Sequence, residues 1–196
     1  AVRLSFCGQA SFRTGSDHIR AKDGLCAVVA WLSILAYANK ERPGTSVSDV
    51  LQAHYHKYGR NFFSRYDYEE VDSAGANAMM NDLRSKFTDP NFIGTSLGAF
   101  KAAQAGDFSY TDPIDHSVSK NQGLYVRMED GSRIVFRLSG TGSAGATIRL
   151  YVEKYTSVER EYAADVQQAL KPIIQVALDL SALQRHTGRE QPTVIT

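Results

Sequence analysis

Cysteine is nearly absent from this sequence of 196 residues, which contains only Cys7 and Cys26. Two cysteines do not make the disulfide framework of a small secreted protein, so a reducing compartment is favoured. We see no signal peptide or basic presequence, and the start at Ala1 leads us to expect that the chain begins inside a larger protein. We therefore expect a cytoplasmic location.

Long apolar runs and an excess of one charge are also missing. The longest apolar stretch, Leu25–Tyr37, is interrupted by Ser33 and is too short to span a bilayer. Lysine and arginine number 22 against 21 aspartates and glutamates, which gives a net charge of +1. General nucleic-acid and anionic-membrane binders carry a basic excess that this chain lacks. We expect neither as a partner.

The first part of the chain has the pattern of an α/β structure. Residues 1–12 are apolar enough to form a strand. Asp23 can cap a following helix, in which apolar residues from Leu25 onwards recur at the spacing of a buried face. The segment 38–45, which contains proline and glycine, should end this helix. Cys26 is interpreted as a small buried hydrophobic residue.

A second helix and a domain boundary are predicted next. Ser46, with Asp49 three residues later, resembles a capping box at the start of this helix, which should end at the following glycine. The segment 60–71 shows no clear period, and we interpret it as the seam between domains 1–60 and 61–196. Its aromatic and acidic side chains are taken as interdomain packing with a solvated face.

The second part predicts an α+β structure, so the fold class expected for the whole chain is α/β followed by α+β. Residues 88–123 show little periodicity and are predicted to be a loop. Asp130-Gly131 is a hairpin-turn signal, and Pro172 should start a second helix or kink the first. The predicted helices span 67–87 and 158–186, and the inward residues of the first are Val71, Ala74, Ala78 and Leu83 or Met79. The predicted strands span 124–128, 134–138 and 147–155.

The segment between Arg137 and Arg149 is the candidate binding site. Phe136 and Ile148 belong to the apolar faces of their strands, so both arginines should point to the opposite face. Residues 139–146 form an expected loop of eight residues with hydroxyl side chains and three glycines. Guanidinium forks, hydroxyls and uncovered N–H groups are donors suited to a tetrahedral dianion.

A plain glycine-rich hairpin with two solvated arginines is the alternative for this segment. The loop is longer than a hairpin needs, which favours the anion site. It is not a Walker loop, because no Gly-Lys-Ser/Thr sequence follows.

No metal site is expected in this chain. His54 and His56 are two residues apart in a predicted helix and project to different faces, so surface histidines are the favoured interpretation. Asp112, Asp115 and His116 surround a proline, and a turn stabilised by aspartate side chains explains them better than a set of metal ligands.

Four strings in the sequence carry a resemblance to a known family: TGSDHIR at 14–20, KDG at 22–24, YGRNFF at 58–63 and RLSGTGSAGATIRLY at 137–151. They resemble the C-terminal portion of the phosphoglucomutases, in the α-D-phosphohexomutase family, whose members have four domains around a central cleft. The resemblance extends over the whole chain. It implies that residues 1–60 are the latter part of the third domain. Residues 61–196 would be the fourth domain, with an antiparallel sheet packed with helices as in the TATA-box-binding protein.

The resemblance implies an enzyme that interconverts glucose 1-phosphate and glucose 6-phosphate through glucose 1,6-bisphosphate. In the family a phosphoserine transfers the phosphoryl group and an Asp-Gly-Asp-Gly-Asp loop holds Mg²⁺. Neither motif occurs in this chain, so we expect it to bind and orient the substrate while Mg²⁺ and the bisphosphate serve the intact enzyme. The implied partners are a phosphorylated hexose and the remaining N-terminal domains.

The resemblance also implies roles for particular residues. Lys22 corresponds to a supporting catalytic cation near the reaction centre. Gln9 and Ser11 correspond to the sugar-binding loop, and His18 and Arg20 line the cleft after it. The phosphate-binding loop corresponds to Arg137, Ser139, Gly140, Thr141, Ser143 and Arg149.

Some positions depart from the family pattern. Gln9 stands where the family has glutamate, and a carboxamide offers one acceptor where a carboxylate offers two. Arg13, Ala21, Cys26 and His116 replace a glycine, a glutamate, a tryptophan and a glycine, respectively. These changes motivate an alternative function, a non-catalytic relative kept as a binding or scaffold protein.

Overall fold

The fold was analysed in a computed structural model, which describes residues 7–9, 13–15, 23–142 and 145–196. The chain divides into two compact units, Ala1–Gly59 and Arg60–Thr196. No helix within the described ranges is long and apolar enough to cross a membrane.

The first unit contains a short strand pair and two helices. Strands β1 (Cys7–Gln9) and β2 (Arg13–Gly15) are antiparallel, so the segment predicted to be a strand is followed by a second strand that the sequence did not indicate. Helix α1 spans Gly24–Glu41 and helix α2 spans Val47–Tyr58. Helix α1 therefore extends into the segment that was expected to end it.

Both helix starts in this unit are confirmed. The Asp23 carboxylate accepts hydrogen bonds from the N–H groups of Leu25 and Cys26, at 2.9 and 3.1 Å. At α2, the Asp49 N–H donates to the Ser46 hydroxyl while the Asp49 carboxylate accepts from the Ser46 N–H, which completes a capping box. Such caps satisfy backbone donors that have no partner within the helix.

The apolar face predicted for α1 is not buried within this chain. No residue of α1 or α2 is buried, and Leu25 and Val29 are 77% and 61% exposed. Cys26 is only partly buried, so its interpretation as a core residue is wrong for this chain. A helical period identifies which residues share a face but not what covers them.

The second unit is a seven-stranded sheet in which every neighbouring pair is antiparallel. Its strand order is β4-β5-β6-β7-β8-β3-β9. The strands are β3 (Arg60–Val71), β4 (Ser96–Leu97), β5 (Phe100–Thr111), β6 (Val118–Met128), β7 (Arg133–Gly142), β8 (Gly145–Thr156) and β9 (Val194–Ile195). The helices are α3 (Ser73–Thr88), α4 (Val166–Ser181) and α5 (Leu183–Thr187), with 3₁₀ turns at Pro90–Phe92 and Glu159–Glu161.

One face of this sheet forms the core with the helices. Alternate residues of β6, β7 and β8 are buried, as period two requires, and α3 and α4 contribute residues at helical spacing. The other face carries charged residues of β7 and β8, among them Arg137 and Arg149, together with Val135 and Tyr151. The buried helix residues are Ala76, Met79, Met80, Leu83 and Phe87 in α3, Leu170, Ile173, Val176, Ala177 and Ser181 in α4, and Leu183 in α5.

The expectations for residues 60–88 of this unit are partly wrong. The proposed seam is strand β3, which lies between β8 and β9, and Tyr66, Asp67 and Tyr68 are buried in it. Helix α3 begins at Ser73 rather than residue 67. Its Met79 and Leu83 are buried as predicted, whereas Ala74 and Ala78 are exposed. The tyrosines and phenylalanines of β3 interrupt simple alternation because both of its faces are partly covered.

The predicted loop 88–123 contains β5 and the start of β6. Its period is hidden because the β5–β6 pairing shifts register twice, after Ala102 and after Phe108, and the first shift, by one residue, moves the following side chains to the other face. The C-terminal helix begins at Val166, and α4 continues through Pro172 without a second helix starting there.

Candidate functional site

Arg137 and Arg149 lie directly opposite each other on the neighbouring strands β7 and β8. Phe136, Ile148 and Leu150 are fully buried, so the arginines point away from the core, as the alternation predicted. Cross-strand partners on one face of a sheet have adjacent side chains. The fold therefore places two guanidinium groups side by side.

The segment between these arginines is not the loop of eight residues that was expected. The ladder continues through the pair Ser139 and Thr147, and after a register shift Gly142 pairs with Gly145. Gly140 at φ +68° lies within the shifted region. The length of the connection therefore does not support an anion site, and the evidence for that site comes from the paired side chains.

The arginine pair is electrostatically unfavourable without an anion. Two like charges directly opposite each other in a sheet destabilise it. Arg137 is exposed, and its side chain makes no hydrogen bond or ion pair with any other residue of the described ranges. Its stem lies over Gly123 of β6, where an added Cβ would be 3.1 Å from the Arg137 Cγ. An anion between the two guanidinium groups would relieve their repulsion.

A buried carboxylate on β3 completes this row of charges. Asp67 is 4% exposed and is the cross-strand partner of Arg149. Its Oδ2 lies 3.7 Å from the Arg149 Nε, and its Oδ1 lies 2.9 Å from the Arg65 Nε. This role of Asp67 could not be predicted from the sequence, because the pairing of β3 with β8 joins residues far apart in the chain.

The hairpin end of β7 and β8 rests on an irregular part of β3. The register shifts between Tyr68 and Val71, and Glu70 has φ +53°. Gly145 has φ +90°, and a Cβ there would lie 3.2 Å from the Glu70 Cα and from the Val71 carbonyl oxygen. The Arg189 guanidinium donates to the carbonyls of Glu69 and Glu70, at 3.0 and 3.4 Å. The glycine therefore permits a close backbone contact that positions the hairpin end.

The structure describes only some of the predicted site residues. Ser11, His18, Arg20, Lys22 and Ser143 lie outside the described residues. Gln9 pairs with Arg13 in the β1–β2 ladder, but its side chain is outside the description, as is that of Thr141 at the end of β7. The structure brings together, at one end of β7 and β8, the residues Arg137, Ser139, Gly140 and Arg149, and adds Thr147 opposite Ser139.

The residues discounted as metal ligands have other surroundings. The ring of His54 lies 4.8 Å from that of Tyr58. Asp112 accepts a hydrogen bond from the Ile114 N–H at 2.8 Å, as expected for a turn stabilised by aspartate. A hydrogen bond from Ser117 lowers the pKa of Asp115 below its ordinary value. Within the described ranges no three His, Cys, Asp or Glu residues are grouped to hold a metal ion.

Comparisons with known proteins agree on one family. Residues 60–193 match the family described as Phosphoglucomutase-1, C-terminal domain. The chain is 55% identical to phosphoglucomutase-1 of Oryctolagus cuniculus, with 100% of this chain and 35% of the relative covered. Identity to the chloroplastic phosphoglucomutase of Solanum tuberosum is 54%, with 100% and 32% covered.

A solved structure is similar over nearly the whole chain. It is parafusin from Paramecium, titled an exocytosis-sensitive phosphoprotein and phosphoglucomutase in its open form. The TM-score is 0.82 at 48% identity, covering 98% of this chain and 32% of that one. This similarity confirms the fold class of mixed helices and antiparallel sheet. The chain spans about a third of the length of the proteins it matches.

Proposed function

We propose that this chain, which belongs to the phosphoglucomutase family, is the substrate-binding C-terminal portion of a phosphoglucomutase. The intact protein would interconvert glucose 1-phosphate and glucose 6-phosphate through glucose 1,6-bisphosphate. The observation that carries this proposal is the direct register of Arg137 with Arg149 on the face of the sheet away from the core. The pair has the charge and donors for the phosphate that does not react.

The two arginines would hold this phosphate as a clamp. Each planar guanidinium can donate two parallel hydrogen bonds to phosphate oxygens. The Ser139 and Thr147 hydroxyls, two cross-strand pairs farther along and therefore on the same face, can add neutral donors. Because the bisphosphate intermediate must reorient during the reaction, the same clamp would accept a phosphate at either end of the sugar. Positioning of this kind lowers the barrier by holding the reacting phosphate in line.

The remaining roles in the proposal derive from family membership. Residues 1–60 would be the latter part of the third domain and residues 61–196 the fourth. Sugar and cleft contacts would come from Gln9, Ser11, His18 and Arg20, and Lys22 would support the reaction centre. The phosphate loop would include Gly140, Thr141 and Ser143.

Mg²⁺ and glucose 1,6-bisphosphate belong to the proposal as requirements of the whole enzyme. When bound, Mg²⁺ would neutralise charge on the transferred phosphoryl group. We assign its ligands, and the phosphoserine, to the remaining domains of the same protein, which with a phosphorylated hexose are the proposed partners.

The names of the relatives bear on the choice between an enzyme and a non-catalytic protein. Their names are those of phosphoglucomutases, which favours the enzyme over a non-catalytic binding or scaffold protein. A cytoplasmic location is our proposal for this protein, although the relative from Solanum tuberosum is named as chloroplastic.

Steady-state kinetics of the full-length protein with Arg137→Ala or Arg149→Ala tests the clamp. Each change removes charge-assisted hydrogen bonds worth about 1.5–3 kcal/mol, so the KM for glucose 1-phosphate should rise roughly 10- to 100-fold. Arg133→Ala is the matched control, because Arg133 lies on the same strand and face but pairs with Glu153 at 2.6 Å. An unchanged KM in both clamp variants would contradict the proposed function.

A further inference from the structure

Asp67 is a buried charge for which the family resemblance supplied no role. It is 4% exposed, on the strand that the sequence analysis took for a domain seam. Burying a carboxylate costs several kcal/mol unless it is paired with a cation and hydrogen-bonded. The partners of Asp67 therefore show what this buried charge does.

Both partners are arginines on the outer face of the sheet, and each presents its Nε atom. Asp67 Oδ1 faces the Arg65 Nε at 2.9 Å, and Oδ2 faces the Arg149 Nε at 3.7 Å. The two Nε atoms and Oδ1 are buried and make no hydrogen bond of regular geometry in the described part of the chain. The contacts of Asp67 with Arg65 and Arg149 are therefore ion pairs, in which charge attraction holds each guanidinium group close to the carboxylate.

This arrangement leaves most of the Arg149 guanidinium for another partner. A guanidinium has five N–H donors, and only one of them is on Nε. The Arg149 side chain keeps 39% of its surface exposed, and Arg137 is its cross-strand partner on the side opposite Asp67. An anion between Arg137 and Arg149 would meet the Nη groups while Asp67 held the Nε.

We infer that Asp67 is a positioning residue for phosphate binding, which rests on the function proposed above. Its carboxylate, fixed on the other side by Arg65, holds the Arg149 guanidinium in the orientation that binds the phosphate. Because Asp67 is buried and has the same sign of charge as a phosphate, it would act on the phosphate through Arg149 and not by direct contact. Residues that orient a ligand-binding side chain in this way commonly change affinity 10- to 100-fold when altered, as metal sites show.

Net charge alone predicts the opposite effect of neutralising Asp67. Arg65, Arg137 and Arg149 together with Asp67 carry a net charge of +2, close to the opposite of a phosphate monoester at neutral pH. Replacing Asp67 by asparagine raises the net charge, which by attraction alone should tighten phosphate binding. Positioning predicts weaker binding, so the direction of the change separates the two effects.

The test is a double-mutant cycle in the full-length protein with Asp67→Asn, Arg149→Ala and the two combined. Asp67→Asn keeps the shape of the side chain and should raise the KM for glucose 1-phosphate about tenfold. With Arg149→Ala already present, it should raise the KM no further. Glu153→Gln is the control, because it removes a carboxylate from the same face that pairs with Arg133 and should leave the KM unchanged.

Asp67→Glu extends the test to a variant that keeps the ion pair, in case asparagine lowers the yield of folded protein. It retains the charge but moves the carboxylate by one methylene, so the KM should again rise, and only when Arg149 is present. Thermal unfolding of each variant shows whether it is folded at the assay temperature.

The outcomes separate two failures. If Arg137→Ala and Arg149→Ala both leave the KM unchanged, the proposed clamp is wrong, and if only Arg149→Ala does so, positioning by Asp67 is overturned. If Arg149→Ala raises the KM but Asp67→Asn lowers it, leaves it unchanged, or raises it equally in the Arg149→Ala background, then positioning by Asp67 is overturned while the clamp stands.

Discussion

Whether the charge of an arginine on the outer face of the sheet is neutralised depends on its cross-strand neighbour. Arg133 lies opposite Glu153 and forms a short ion pair, whereas Arg137, four residues later on the same strand, lies opposite Arg149. Arg149 in turn has Asp67 on its other side. One pair is therefore internally neutral and the other has positive charge left for a ligand, although both are arginines on one strand.

Two buried tyrosines beside this row should make stability sensitive to alkaline pH. Burial raises the pKa of Tyr66 and of Tyr68 above the ordinary value of 10.0, with partly opposing hydrogen bonds at Tyr66 and a further increase at Tyr68 from the nearby Tyr66. The unfolded chain should therefore ionise first. The contribution of these two tyrosines to the free energy of unfolding is fully present below about pH 10 and is lost as the pH rises above it.

Urea unfolding at a series of pH values from about 8 to about 11 checks this expectation. The free energy of unfolding should fall over the upper part of the range, and Tyr68→Phe should reduce the slope because it removes one ionisable group. A slope that is the same in Tyr68→Phe and in the unaltered protein would contradict the assignment. Comparison of the two at neutral pH gives the separate effect on packing.

At the scale of secondary-structure elements, the position of the β7–β8 hairpin depends on its contact with β3. The irregular backbone at Glu70 faces Gly145, and Arg189 donates to the carbonyls of that same irregularity. The C-terminal segment is joined to β3 as well, through backbone hydrogen bonds between Arg65 and Thr196 at 2.7 and 2.9 Å. The hairpin end is thus packed on a strand that is hydrogen-bonded on both edges.

Gly145→Ala should displace this hairpin end. Gly145 has φ +90° and a close backbone neighbour, so alanine adds conformational strain of about 1–3 kcal/mol and a steric contact. Gly131→Ala is the matched control, because Gly131 has φ +86° but nothing within 4 Å of an added Cβ.

Thermal unfolding and the KM for glucose 1-phosphate measure the two effects. Both variants should lose stability, because alanine is strained at a positive φ. Only Gly145→Ala should also raise the KM. Equal losses of stability and an equal KM in the two variants would show that the contact with Glu70 has no influence on the site.

At the scale of the whole molecule, the two units differ in what they bury. The second unit has a continuous core that joins the sheet to α3 and α4. In the first unit, α1 and α2 contain no buried residue. Cooperative folding depends on apolar burial, which among the described residues is concentrated in 60–196.

Residues 60–196, expressed alone, should therefore unfold cooperatively in urea, with coincident transitions in far-UV and near-UV circular dichroism. Residues 1–59 expressed alone should show no such transition, because their apolar helix residues have too little to pack against. A cooperative transition in 1–59 would contradict this view of where the stability resides.

The features that the sequence by itself determined are local. Asp23 and the Ser46–Asp49 pair predicted both helix starts, and strict alternation predicted the faces of β7 and β8, including the outward direction of Arg137 and Arg149. Caps and alternation act over a few residues, so they can be read without knowing the partners. The strings around the two arginines also indicated the family.

Only the tertiary structure decided which distant residues meet. It made residues 60–71 a strand next to β8, placed Asp67 opposite Arg149, and replaced the expected loop with a continued ladder. It also placed β5 in a segment whose period is hidden by two register shifts. Strand pairing depends on long-range burial and hydrogen bonding summed over the whole sheet, and no local pattern in the sequence specifies it.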